Sequence, residues 1–241
     1  MKCKFLKNCL ITSRYAMMLI VGALSMTGTA SATLIESIAA LDDGDKYRVL
    51  FVTSTKRDAT SSDITDYNTF VNTAAQAGSV TSGLGLTWKA LASTDSVNAR
   101  TNTGIVDDDP IVWLFNTDGV IVAESGKDLW DRYLMAPINQ SEHGELISDM
   151  TWTGMDAYGD SMEFLSLGGF GDTATYGHTP RINYPWANGE GGGFLKTNQL
   201  ALYGASSLAV AGTVQVTSPG TFILLTLGLA GLSFSRYRKQ S

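Results

Sequence analysis

Glu142, His143, Glu145 and Asp149 stand within one short stretch of the chain and are the residues best placed to do acid/base work. A protonated and an ionised carboxyl group can between them move the protons of a hydrolysis, and that chemistry would make the protein a secreted hydrolase acting on extracellular polysaccharide. A solvated acidic loop accounts for the same four residues. The chain holds a second histidine, His178, and neither histidine has another His or Cys at metal-ligand spacing, so both read as surface residues. Gly-x-Ser-x-Gly, phosphate-binding and dinucleotide glycine motifs and His-Glu-x-x-His do not occur. The reading is a non-enzyme, with the hydrolase as its alternative.

Two acidic loops concentrate oxygen ligands. Asp107, Asp108 and Asp109 precede Pro110, and Asp156 and Asp160 flank Gly159. Calcium takes six to eight such oxygens, although neither loop has the spaced ligands of an EF-hand. A calcium site at Asp107, Asp108 and Asp109 and simple solvation of an acidic loop both remain open; no other cofactor is expected. The aromatic residues Trp152, Tyr158, Phe170, Tyr176, Tyr184 and Trp186 crowd a glycine-rich region. Exposed rings there would stack on sugar faces, and buried ones would build a core. Trp152, Tyr158, Tyr184 and Trp186 are the candidate ligand-binding set.

The elements that must position these groups begin with Tyr47–Thr53, a β-branched and aromatic run that reads as a buried first strand. Ser61-Ser62-Asp63 can cap a helix with Ile64, Tyr67, Val71, Ala74 and Ala75 on one face and Gly78 just past its end. Leu86–Ala92 reads as a strand with Trp88 as a core anchor, and Ser96–Arg100 as a short turn or helix. Ile111–Phe115 and Val120–Ala123 form a hairpin through Asn116-Thr117-Asp118-Gly119. Asp128–Leu134 reads as a short helix broken at Pro137, the chain from Gly154 to Gly193 as long irregular loops, and Leu200–Tyr203 as the last strand. Mixed elements of this kind give an α+β body.

The termini carry addresses. Lys2, Lys4, Lys7 and Arg14 precede the apolar core Ala16–Leu24 and the small-residue site Ala30-Ser31-Ala32, the layout of a secretory signal peptide over residues 1–32 with Thr33 as the first mature residue. Cys3 and Cys9 both fall inside it, so the mature chain is expected to have neither disulfide nor thiol chemistry. All 23 acidic residues but only 10 of the 17 basic ones lie between this segment and the tail, which leaves the body a charge of −13. Such a body repels nucleic acid. It spans 33–210 as a single domain; the stretch Ala209–Ser218 joins its last strand to the tail, with 211–217 as linker.

The tail, 218–241, holds Pro219 and Gly220, the apolar run Phe222–Phe234, and then Arg236, Arg238 and Lys239. Thirteen apolar residues fall short of the ~20 that span a bilayer without strain, yet the basic end can hold such a helix transiently with that end in the cytoplasm. This tail resembles the PEP-CTERM class of Gram-negative sorting signals, with Ser218-Pro219-Gly220-Thr221 where that class has Pro-Glu-Pro. The resemblance implies an exosortase-like enzyme as partner, the inner membrane as a transient station, and the cell surface or extracellular matrix as destination.

The body is weakly similar to a bacterial extracellular domain of unknown function with a C-type-lectin-like, endostatin-related fold. Val49–Ser54, Thr87–Ala90, Asn116–Gly119, Asp128-Leu129, Ala136–Asn139, Thr151–Gly154 and Gln199–Tyr203 carry the likeness. It implies a single C-type-lectin-like domain with long irregular loops and brings no activity with it. The expected function is a non-catalytic binding or structural module at the cell surface or in a biofilm matrix, directed at extracellular polysaccharide.

Overall fold

A computed structural model of the protein describes residues 29–107, 112–189 and 192–212. The expected signal segment up to residue 28, Asp108 and Asp109, most of the expected linker and the whole of the expected sorting tail, with Pro219, Gly220, Phe222–Phe234, Arg236, Arg238 and Lys239, lie outside the described residues. Among the described residues no helix is long and apolar enough to cross a membrane.

The run expected as the first strand is β1, Lys46–Val52, and all but its first residue are buried. Successive side chains of a strand point to opposite faces, and both faces of this one are covered. Tyr47, Val49 and Phe51 enter one core; Leu50 and Val52 enter another. The first core lies under helices α1, Thr29–Ala39, and α2, Ile64–Ala77, which contribute Leu34 and Ile38, and Tyr67 and Val71. Asp63 starts α2 as expected: its carboxylate accepts the Thr65 amide at 2.8 Å, satisfying one of the donors a helix start leaves open. Strand β2, Trp88–Ala90, places Trp88 edge-on to Phe51 with ring centres 5.2 Å apart, a core anchor as expected. Helix α3, Ala99–Thr103, follows.

The hairpin joins β3, Val112–Asn116, to β4, Ile121–Ala123, with a bulge between Leu114 and Phe115. Helix α4 is Gly126–Leu129, earlier and shorter than the expected Asp128–Leu134. Ser125 caps it by accepting the Asp128 amide at 3.1 Å. Its continuation is prevented by Arg132, held at φ 86°, and by the Leu134 amide, which donates to the Ile182 carbonyl at 2.6 Å. The later strands are β5, Met150–Trp152; β6, Thr173–Ala174; β7, Tyr176–His178; β8, Phe194–Leu195; β9, Ala201–Ser206; and β10, Ala209–Val210.

One sheet runs β4-β3-β1-β9-β5-β7, with β2 also on β9 and β10 also on β1; β6 and β8 pair separately. β1 and β3 are parallel, as are β5 and β9, so the sheet is mixed and the body is α+β. The expected last strand is longer than read: β9 runs on through Gly204 and Ala205 because β1, β2 and β5 all pair with it. Ala209 and Val210 belong to the sheet, not to a linker, and face Tyr47 and Lys46. The region 154–193 is as irregular as expected, its only strands two or three residues long among the described residues. Since β1 and β2 both run antiparallel to β9, their C-terminal ends emerge at the same pole. There the loops 53–60, 91–98 and 161–172 meet: Ala59 donates to the Lys196 carbonyl, Gly168 to Ala59, and Leu167 to Ser93, all by backbone amides at 2.8–3.0 Å.

Candidate functional site

The acid/base group does not converge. Glu142 is buried, and its carboxylate accepts the Ser54 amide at 2.8 Å and the Ser54 hydroxyl at 2.5 Å. Asp149 pairs with Lys56, whose hydrogen bond holds the Asp149 carboxyl below the ordinary carboxylate range, helped by the Met150 amide at 2.8 Å. Glu145 is exposed. His143 accepts the Ser79 amide on Nδ1 at 3.2 Å and turns Nε2 toward Glu142 at 3.8 Å. The sequence neighbours thus serve several separate contacts, and Glu142, the most enclosed of them, binds two loops together.

The acidic loops are also engaged. Asp107 forms an ion pair with Arg100. Asp156 accepts the amides of Tyr158 and Asp160 at 2.9 and 3.0 Å, closing its own turn, and Asp160 accepts the Asn98 side chain at 2.9 Å. No group of three or more His, Cys, Asp or Glu side chains is placed to hold a metal ion among the described residues.

The four candidate ligand-binding aromatics divide between core and surface. Trp152 and Trp186 are wholly buried and offer no ring face to a ligand. Trp152 donates its indole N–H to the Arg57 carbonyl at 3.0 Å, and Trp186 lies between Trp130 and Tyr203 with ring centres 6.4 and 6.0 Å away. Aromatics bury the largest apolar areas, so a body expected to lack disulfides draws its stability from them. Tyr158 is about half exposed; Tyr184 is partly covered, with Arg132 stacked over its ring at 5.1 Å and Asn188 donating to its hydroxyl at 2.8 Å.

A different set of residues comes together where the loops meet. Asp95, Ser161, Glu163, Phe164 and Phe170 line a surface cavity of about 290 Å³. Phe170 is 94% exposed and Phe164 60%. Phe164 has φ 66°, a conformation that a bulky side chain rarely takes. The loop behind them is locked. Gly168 has φ 63° and sits so close to Ser61 that an added Cβ would lie 2.0 Å from its carbonyl oxygen. Ser166 donates its hydroxyl to Asp95, and the buried Lys196 ammonium donates to the carbonyls of Gly169 and Gly171, each at 2.5 Å. Burial holds the Lys196 amine below the ordinary lysine value, with Asp95 and Asp172 pulling the other way.

Of this site, sequence reasoning singled out Phe170 alone. The available signal was the run Gly168-Gly169-Phe170-Gly171, an aromatic among glycines, which marks backbone in close approach with one side chain left outside. Neither a protein-family model nor a curated protein matches the chain.

Proposed function

We propose that this chain is an exported protein whose body serves at the cell surface or in the extracellular matrix as a non-catalytic module binding polysaccharide. Its N-terminal signal directs export. Its tail holds the precursor in the inner membrane through Phe222–Phe234 and presents Pro219 and Gly220, backed by Arg236, Arg238 and Lys239, to an exosortase-like enzyme. The body is a C-type-lectin-like domain in this reading, a fold that does not by itself assign a ligand.

One observation carries the binding role: a hydrogen-bonded loop pole exposes the rings of Phe164 and Phe170 to solvent. Exposed rings on a rigid support are what a binding surface needs, since little ordering is left to be done on association. The placement of the chain's exit agrees. Gly212 lies against Asp43, beside the Lys46 end of β1, whereas the loop pole lies beyond Val52. At ~3.3 Å per residue, β1 separates the two by about 20 Å, so the segment leading to the tail leaves the body at the end away from the loop pole.

Incubating the exported protein with matrix polysaccharide from the same cells tests this reading. Protein should sediment with the polymer and leave its chain length unchanged. Polymer shortening that disappears in a Glu142→Gln, Glu145→Gln, Asp149→Asn triple variant that still shows the parent's folded circular dichroism would establish the hydrolase instead.

A further inference from the structure

The cavity at Phe164 and Phe170 combines two kinds of group in a way that selects among ligands. We infer that it is a subsite for an uncharged pyranose unit of a neutral polysaccharide. This rests on the reading of the body as a polysaccharide-binding module and assigns that module's contact residues and ligand class.

A pyranose has an apolar C–H face and a rim of hydroxyl donors. The ring of Phe170, 94% exposed, and that of Phe164, 60% exposed, supply the apolar surface. Asp95 and Glu163 supply carboxylate oxygens that accept hydroxyl protons, and Ser161 a hydroxyl that both donates and accepts. About 290 Å³ lies just below the ~300–1,000 Å³ of ligand pockets and suits one ring better than a long segment. Charge decides against uronates and sulfated sugars: two carboxylates line the cavity, in a body whose net charge, these two included, is −13. Lys196, which braces the loop, is buried and turned toward the Gly169 and Gly171 carbonyls, so it is not offered to an anionic ligand.

The support explains why two phenylalanines stay outside. Lys196 and the Ser166–Asp95 bond fix the 166–171 loop, and Gly171 lies so near Phe164 that an added Cβ would be 3.0 Å from the Phe164 carbonyl oxygen. Phe164 is therefore held in a left-handed conformation that costs stability and projects its ring beside Phe170. Lys196 acts as a positioning residue: it touches no ligand and sets where the rings stand.

Affinity electrophoresis of the exported protein through gels containing a β-glucan, a mannan, a galactan or alginate tests the assignment. At least one neutral polymer should retard the protein and alginate should not. Phe170→Ala and Phe164→Gly should each weaken retention about tenfold, a loss typical of an aromatic stacking contact. Neither should lower the melting temperature, because Phe170 is exposed and glycine accepts the backbone angle at 164. Lys196→Met should weaken retention too, even at temperatures where the protein remains folded, whereas Tyr133→Ala, exposed and outside the cavity, should not. Unchanged retention in a Phe164→Gly, Phe170→Ala double variant overturns the subsite and leaves the module reading intact. Retention by alginate alone overturns the neutral-ligand assignment. Absence of retention by every polymer, with self-association that Phe170→Ala abolishes, overturns both readings and makes the rings a contact between copies of the chain.

Discussion

Glu142 accepts both the amide and the hydroxyl of Ser54, at 2.8 and 2.5 Å, across 88 positions of sequence. The carboxylate is 2% exposed, and the bond ties the segment leaving β1 to the loop that follows Ile138. Val80 donates to the Glu142 carbonyl at 3.1 Å, so the same residue also receives the turn after α2. A carboxylate enclosed this way works as a clasp. Glu142→Ala leaves the Ser54 amide without its acceptor, and a donor left unsatisfied costs about 1–3 kcal/mol. Thermal or urea unfolding should report a loss in that range, larger than that of Glu145→Ala, whose side chain is exposed; equal effects would show that the clasp contributes nothing.

The first core was legible because its elements carry their own periodicity. β1 is apolar after Lys46 except at Arg48, α2 brings Tyr67, Val71, Ala74 and Ala75 to one side, and Asp63 stands where a cap belongs. Gly78 stands just past the end of α2, as its place in the sequence implies. Its φ is −70°, and what it provides is space: an added Cβ would lie 2.5 Å from the Glu142 carbonyl oxygen. The irregular half has no period from which to read burial. Trp186 is enclosed by Trp130 and Tyr203, and Asp95 meets Ser166 across 71 positions. Contacts of that kind depend on how the sheet brings loops together, so two buried tryptophans looked like candidate platforms and the Phe164 cavity went unseen.

The ion pair of Lys56 with Asp149 gives the protein an acid-sensitive contribution. The Asp149 carboxyl sits below its ordinary value, chiefly through the hydrogen bond from Lys56, so its contribution is fully present above about pH 4 and is lost as pH falls through the depressed value. Both side chains are more than a third exposed, which limits the pair to at most about 1 kcal/mol after screening. Asp149→Asn should therefore melt slightly lower than the parent at neutral pH, and the gap should close as pH falls below the ordinary carboxylate range and in high salt. A gap independent of pH would assign the effect to packing.

The sorting proposal makes its sharpest statement at the two ends of the apolar run. If Arg236, Arg238 and Lys239 anchor the precursor by keeping their end in the cytoplasm, replacing all three with Ala removes the charges that oppose passage of Phe222–Phe234 through the membrane. That variant should leak unprocessed or accumulate as precursor. If Pro219 marks the processing site, Pro219→Ala should leave full-length protein in the inner membrane, since the basic end is intact and only cleavage is lost. The two variants thus fail in different fractions, and immunoblots of membrane and culture fractions separate them. The parent's surface or released form should lack the segment from Leu224 to Phe234. Retention of that segment, or sorting of both variants like the parent, would make the tail an ordinary anchor and remove the processing step, while leaving the binding pole of the body to be judged by its own experiments.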